Sequence, residues 1–354
     1  MILKNIIRKF TERKDEPTLV NGKLDSFQNP KNILLLRQDR IGDVLVSVAF
    51  IKKLKSILPN TEIDIVLSHR NKSALFVISN LINNNFILEK GVIGYFKLIS
   101  KLRKKEYDIV IDLLDNASST SSILTRFTNA ELKLGFDKSN RKVYTHIVEI
   151  PNKQENHIIE RLNSLLLPFT GSNLNEESIS FELSNVKIAK ANELLGEKSN
   201  KLRLGINLSG SNSSKNWGTG NYIAFLKAIS SMDKNLEIKL FTTKSNESQL
   251  NEISEVVPNL AAPYVNSFEQ FAAMISTCDI VLTPDTSVVH LCSAFDIPCI
   301  ALYMYSDDPN VGMPWEPRSK HSKAIKISEK DALGMIKVAD VLAAIKQTIE
   351  EIND

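Results

Sequence analysis

Residues 32–58 read NILLLRQDRIGDVLVSVAFIKKLKSIL. A short run of Ile and Leu gives way to four charged or amide side chains, Arg37, Gln38, Asp39 and Arg40, and then to a long segment rich in apolar residues. The first run has the length of a buried strand and the last segment has the length of a helix. Gly42 is read as the turn between them, with Asp43 at the first position of the helix. An acidic residue there complements the free N–H groups and partial positive charge of a helix start, so plain capping stands beside any chemical role.

Working outward, the same unit recurs as IDIVL (63–67) and YDIVIDLL (107–114). It restarts as LRLGINL (202–208), NYIAFLKAI (221–229), EIKLFT (237–242), DIVLT (279–283) and PCIALY (298–303). Alternation of this kind predicts parallel sheets covered on both faces by helices. Between the two series, PFTGSNLNEESISFELSN (168–185) is polar and carries Pro168 and Gly171, as a connection does. The expected organisation is therefore α/β: a Rossmann-like domain over 1–170, a linker region over 171–201 and a second Rossmann-like domain over 202–354, facing each other across a cleft. In open parallel sheets ligands bind beyond the C-terminal strand ends, so the residues that follow each strand are the candidates for chemistry.

The chain has 354 residues, 43% hydrophobic and 24% charged, enough for two buried cores. It contains no apolar run of the roughly 18–20 residues that a membrane-spanning helix needs. The start lacks the pattern of a secretory leader, so the expected location is cytoplasmic. Cys278, Cys292 and Cys299 lie in apolar contexts without paired spacing and read as reduced packing residues, leaving no disulfide or metal site. The net charge of +3 conceals an asymmetry: residues 1–168 carry 27 Lys and Arg against 18 Asp and Glu, the remainder 17 against 23. The first half is thus suited to an anionic partner. No aromatic-interleaved basic patch accompanies the charge, which argues against nucleic acid and for a membrane surface or an acidic substrate. The first 14 residues, MILKNIIRKFTERK, form a basic amphipathic pattern that fits an interfacial anchor and equally a terminal helix packed on its own domain.

Two further strand ends carry candidate residues. Beyond 202–208 comes SGSNSSKNWGTGNY (209–222), in which Ser209, Gly210 and Ser211 allow close backbone approach and Lys215 supplies a point charge, a pairing suited to phosphate. Beyond 279–283 comes PDTSVVHLCSAFDIP (284–298). There Asp285 or Thr286 can cap a helix starting near Ser287, with His290 one turn in, and a helix start of this kind receives anions such as a diphosphate.

ILLLRQDRIGDVLVSVAFIKKLKSILP, LGINLSGSNSSKNW and DIVLTPDTSVVHLCSAFDIPCIALY, in this order and spacing, together resemble glycosyltransferase family 9, the lipopolysaccharide heptosyltransferases. The resemblance covers nearly the whole chain. It implies a GT-B fold, an N-terminal acceptor domain, a C-terminal nucleotide-sugar domain and inversion at the anomeric carbon. Carried over by position, Asp43 matches the general base and Lys215 the lysine that neutralises the leaving phosphate. Ser209, Gly210, Ser211, Asp285, Thr286, Ser287 and His290 fall in the donor site, and Glu247 in TTKSNESQ (242–249) falls where the nucleoside is contacted. The expected acceptor contacts are Arg37, Arg40 and Gly42, with Asp115 and Arg126 farther along the chain.

The implied reaction takes heptose from ADP-heptose to Kdo-lipid A or a heptosylated core, at the cytoplasmic face of the inner membrane, without a cofactor or metal. Two departures bear on the donor: NLSGS stands where relatives often have Pro-Gly, and Ser287 stands where they usually have Gly. The alternatives are another nucleotide sugar used for capsule or protein glycosylation, and a non-catalytic protein that binds nucleotide sugars or glycans.

Overall fold

A computed structural model describes residues 9–172, 179–210, 213–232, 235–308, 311 and 315–353. The chain divides into two compact units, Met1–Ile179 and Ser180–Asp354.

The first unit is built on a seven-stranded, all-parallel sheet. Its strands are β1 (Thr18–Leu19), β2 (Asn32–Leu36), β3 (Glu62–Ser68), β4 (Asn84–Leu88), β5 (Tyr107–Asp112), β6 (Ala130–Phe136) and β7 (His146–Val148), in the spatial order β1-β7-β6-β5-β2-β3-β4. Ile33, Leu34, Leu35 and Leu36 of the central β2 are fully buried, as a strand covered on both faces demands. The chain leaves β2 through residues 37–40 and enters the helix Ile41–Ile57. Gly42 is therefore the second helical residue and Asp43 the third. The turn that the sequence assigned to Gly42 is made upstream, with Arg40 in extended conformation as the N-cap.

The second unit holds a five-stranded parallel sheet of β8 (Leu202–Asn207), β9 (Leu236–Phe241), β10 (Ile280–Pro284), β11 (Cys299–Tyr305) and β12 (Lys323–Ser328), in the order β12-β11-β10-β8-β9. Trp217 anchors its core. Its ring is fully buried edge-on to Tyr222 and Phe225, and its indole N–H donates to the Ile336 carbonyl at 2.9 Å, so the polar end of this large side chain is satisfied.

Within the segment read as a linker, residues 173–178 lie outside the described residues, and a helix, Asn185–Leu195, belongs to the second unit. It packs on the helix Phe268–Ile275, where Gln270 Nε2 donates to the Lys187 carbonyl at 3.0 Å. Of the basic N-terminal stretch only residues 9–14 are described. Phe10 is 74% exposed, Thr11 is buried, and the Arg13 N–H donates to the Lys142 carbonyl at 2.8 Å, which ties this end to the first unit. No helix among the described residues is long and apolar enough to cross a membrane.

Candidate active site

Both strand orders contain a switch point, where successive connections leave in opposite directions and open a crevice at the C-terminal edge of the sheet. In the first unit it lies between β2 and β5, and in the second between β8 and β10.

At the first switch point Asp43 closes the helix start. Its Oδ2 accepts the Arg40 backbone N–H at 2.9 Å, a third-position carboxylate reaching back to the cap residue. Arg37 is buried behind it. Its Nε donates to the Asp43 carbonyl at 2.8 Å, Nη1 donates to the Leu113 carbonyl at 2.8 Å and to Asp39 Oδ2 at 3.3 Å, and Nη2 lies 3.6 Å from Asp43 Oδ1. The sequence reading expected Arg37 at the acceptor; in the structure it is only 1% exposed, with Nε and Nη1 donating to the turn and to Leu113 just past β5, and Nη2 buried without a hydrogen-bond partner. Arg40, by contrast, is exposed.

Asp39, which sequence reasoning passed over, completes the arrangement. Its Oδ1 is buried without a hydrogen-bond partner. Burial raises its carboxyl to about 7; Arg37 opposes the rise and the nearby Asp43 and Asp112 add to it. A buried carboxyl raised in this way, beside a second carboxylate and a guanidinium, is an arrangement found where acid–base chemistry is done.

Asp112, at the end of β5, is fully buried and accepts from Lys138 Nζ at 2.9 Å and Tyr144 Oη at 2.6 Å. Asp115, three residues on, pairs with Arg161 at 2.9 Å, with Lys153 Nζ 3.9 Å away. These three cations, from distant parts of the chain, bring positive charge to the same edge as Asp43. No local pattern in the sequence announces them. Arg126 is a second correction. It sits exposed in the last turn of the helix Ser119–Phe127, which runs back from the crevice; two residues beyond that helix, Asn129 accepts from the Tyr107 N–H at the start of β5. Arg126 thus lies at the opposite edge of the sheet from Asp43.

At the second switch point Thr286 is the N-cap of the helix Ser287–Phe295, accepting from the Val288 N–H at 3.2 Å. Asp285 is instead ion-paired with Lys215. Asn207, at the end of β8, donates to Thr283 Oγ1 at 2.9 Å, to Thr286 Oγ1 at 3.2 Å and to the Ser209 carbonyl at 3.1 Å, so one amide ties the two strand ends together. Ser209 Oγ accepts the Thr243 N–H at 2.9 Å, which joins the end of β9 to the same edge. Asn207, Thr243 and Thr283 were not singled out from sequence, where they read as ordinary strand-end residues.

Gly210 is half-buried beside Ser209, and Ser211 lies outside the described residues. Glu247 is exposed at the first position of the helix Glu247–Val256, reached from β9 through the turn Lys244–Asn246. His290 is buried and packs against the Trp315 ring at 5.9 Å. The second switch point therefore unites Ser209, Lys215, Asp285, Thr286 and Ser287, with His290 buried one turn into the same helix.

The profile of the family described as "Glycosyltransferase family 9 (heptosyltransferase)" matches residues 95–340. The chain is 23% identical over 336 residues to Lipopolysaccharide heptosyltransferase 3 of Escherichia coli, covering 87% of this chain and 96% of that protein. Among solved structures, a glycosyl transferase family 9 protein from Veillonella parvula superimposes with a TM-score of 0.74 at 16% identity, covering 91% of this chain and 98% of the other. The ADP-heptose lps heptosyltransferase II of E. coli gives 0.72 at 17% identity, covering 91% and 100%. The fold class is accordingly GT-B.

Proposed function

The chain belongs to glycosyltransferase family 9 and is a glycosyltransferase enzyme, and on that premise we propose that it transfers heptose from ADP-heptose to an anionic inner-core lipopolysaccharide acceptor at the cytoplasmic face of the inner membrane. The observation that carries this reading is the Asp43 carboxylate, fixed by the Arg40 N–H and Arg37 at the β2–β5 switch point.

In the proposed reaction an acceptor hydroxyl oxygen attacks the anomeric carbon of the donor heptose while the bond from that carbon to the diphosphate oxygen breaks. The hydroxyl proton passes to Asp43, and ADP leaves with the electron pair. A single displacement from the opposite face inverts the anomeric centre. Asp43 suits the base because the attacking hydroxyl becomes acidic only as its bond to the sugar forms, so a carboxylate of ordinary basicity is strong enough.

The leaving diphosphate gains negative charge in the same step. Lys215 and the start of the helix Ser287–Phe295 offset that charge in the second unit, and such stabilisation is worth most when the donors are held in advance. The Lys215–Asp285 pair supplies that preorganisation: a lysine ammonium has three N–H groups, so it can keep Asp285 and still donate to phosphate. Arg40, Arg161 and Lys153 supply cationic character for an acceptor bearing carboxylate or phosphate. The membership in an enzyme family sets aside the reading of the chain as a non-catalytic binding protein.

The test is incubation with ADP-heptose, and separately with UDP-sugars, in the presence of Kdo-lipid A and heptosylated core acceptors, with products read by mass spectrometry. Product with ADP-heptose alone supports the reading. Product only with a UDP-sugar replaces the donor and keeps the enzyme class. Full dependence on an added divalent metal, abolished by EDTA, contradicts the role given to Lys215.

A further inference from the structure

The helix Gly91–Leu102 leaves Val92, Ile93 and Phe96 exposed at 70%, 71% and 69%. Scattered apolar side chains on a surface are ordinary, but these three lie within one helical turn and form a continuous patch. The opposite stripe is fully used: Leu98 and Leu102 pack into the core with Leu36, Val66, Leu88 and Tyr107.

Two glycines lock the helix in this rotation. Gly91 takes a φ of +81°, which favours glycine, and a side chain on Gly94 would meet the Glu89 carbonyl oxygen at 2.4 Å. The helix cannot roll to hide its apolar turn without breaking that approach.

Along this helix the exposed charged side chains are mainly cationic: Lys90 at the N-cap, then Lys97 and Lys101, with Arg103 and Lys104 following the helix end; the exposed Glu89 before Lys90 is the one acid directly at the helix start. An apolar centre with a basic surround matches a lipid surface with anionic headgroups, the side chains entering the acyl boundary while lysine stems extend to the phosphates. It does not match a second copy of the chain, because a two-fold contact through this face would set the cations against one another.

The face also lies where a glycolipid-modifying enzyme would use it. β4 ends at Leu88 and the helix starts at Gly91, so the apolar turn sits at the C-terminal edge of the sheet, the edge that carries Arg37 and Asp43. Only β3 separates β4 from β2, a lateral offset of roughly 10 Å from two inter-strand spacings.

We propose that Val92, Ile93 and Phe96, with their basic surround, form a docking face for an anionic membrane surface. The functional significance of this face, though not its geometry, rests on the reading of the acceptor as a membrane glycolipid.

The test uses the full chain and vesicles free of any acceptor: phosphatidylglycerol mixed with phosphatidylethanolamine, against phosphatidylcholine, by co-sedimentation over a salt series. Two variants accompany the wild type, V92S/I93S/F96S and the charge reversal K97E/K101E/K104E, each checked for an unchanged thermal transition and for turnover on a soluble, delipidated acceptor. The wild type is expected to bind the anionic vesicles and to lose binding as salt rises; each variant should bind at least about tenfold more weakly, because each removes one of the two contributions to partition. Binding by V92S/I93S/F96S equal to wild type overturns the proposal, as does equal binding of the wild type to both vesicle types. A wild-type dimer that the serine variant converts to monomer also overturns it and assigns the face to self-association. Absence of turnover by the wild type on the soluble acceptor, with its own binding to anionic vesicles as expected, counts against the proposed reaction and leaves the docking face standing.

Discussion

Arg37 Nε donates to the Asp43 backbone carbonyl at 2.8 Å while its Nη2 stands 3.6 Å from Oδ1 of the same residue. One buried guanidinium thus fixes both the backbone and the carboxylate of the proposed base from six residues upstream, and the Arg40 N–H holds the remaining oxygen. The aspartate is aimed by the turn that precedes it, and helix capping and base positioning become one arrangement.

Asp43→Asn preserves an oxygen for the Arg40 N–H and so leaves the helix start intact. Turnover should fall by about two to four orders of magnitude, the range associated with a positioned acid or base. ADP affinity, which the proposed reaction assigns to the second unit, should be unchanged by calorimetry. An unaltered kcat would remove Asp43 from the chemistry and leave it a cap.

Arg37→Met removes a buried cation from Asp39, Asp43 and the Leu113 carbonyl at once. Removing one member of a buried ion pair costs about 3–5 kcal/mol, so chemical denaturation should show a loss of that order together with reduced kcat. A variant of wild-type stability but weaker acceptor KM would restore Arg37 to the acceptor-binding role that the sequence suggested.

Asp39 gives a pH dependence. Burial places its folded-state carboxyl near 7, above the ordinary 3.8, so the folded chain holds a proton that the unfolded chain releases. The associated stability is present below the ordinary value, declines as pH rises through the interval up to about 7, and is gone above it. The difference in Tm between Asp39→Asn and wild type should therefore shift in favour of the variant between pH 5 and pH 8. A pH-independent difference would mean that Asp39 is ionised throughout. In wild type, kcat/KM should also change near pH 7 as Asp39 titrates beside the proposed base, and that change should vanish in the variant.

Lys215→Ala should weaken ADP binding by roughly 10- to 100-fold, the size expected for a lost hydrogen bond between charged groups. Asp285→Asn should weaken ADP binding by less than Lys215→Ala, because it keeps the ammonium but removes the ion pair that holds it in place. Equal weakening by both substitutions would mean that the pair acts as a structural clasp.

The residues that were legible in the sequence are those whose role is local. Strand-then-helix periodicity at 32–58 and again from 202 onward located both sheets, and residues at strand ends located both switch points. The strands β1, β4, β6, β7 and β12 were not read from the sequence; β1 has two residues, and the others mix polar with apolar residues as strands less fully buried than β2 do. Gly42 and Asp43 were each misplaced within the helix start because N-cap and third-position residues have similar preferences. Arg37 was expected at the acceptor as a strand-end cation able to hold acidic groups, and its burial comes from the return of β5 beside β2, which no local spacing records. Lys138, Lys153 and Arg161 meet Asp112 and Asp115 through contacts between distant chain segments, which no spacing records. Asp39 was passed over for the same reason: its carboxyl is raised first by burial, with Asp43 and Asp112 adding to the rise, and that environment is assembled by the strand order.

Transfer with Asp43 as the base makes one product and requires one residue. The most direct measurement is the mass and anomeric configuration of the product formed from α- or β-configured ADP-heptose on a Kdo-lipid A acceptor, with wild type and Asp43→Asn in parallel. The account predicts one added heptose with the anomeric configuration opposite to that of the donor, formed by the wild type and lost by about a hundredfold or more in the variant. Retained configuration, or equal product from Asp43→Asn, would contradict it.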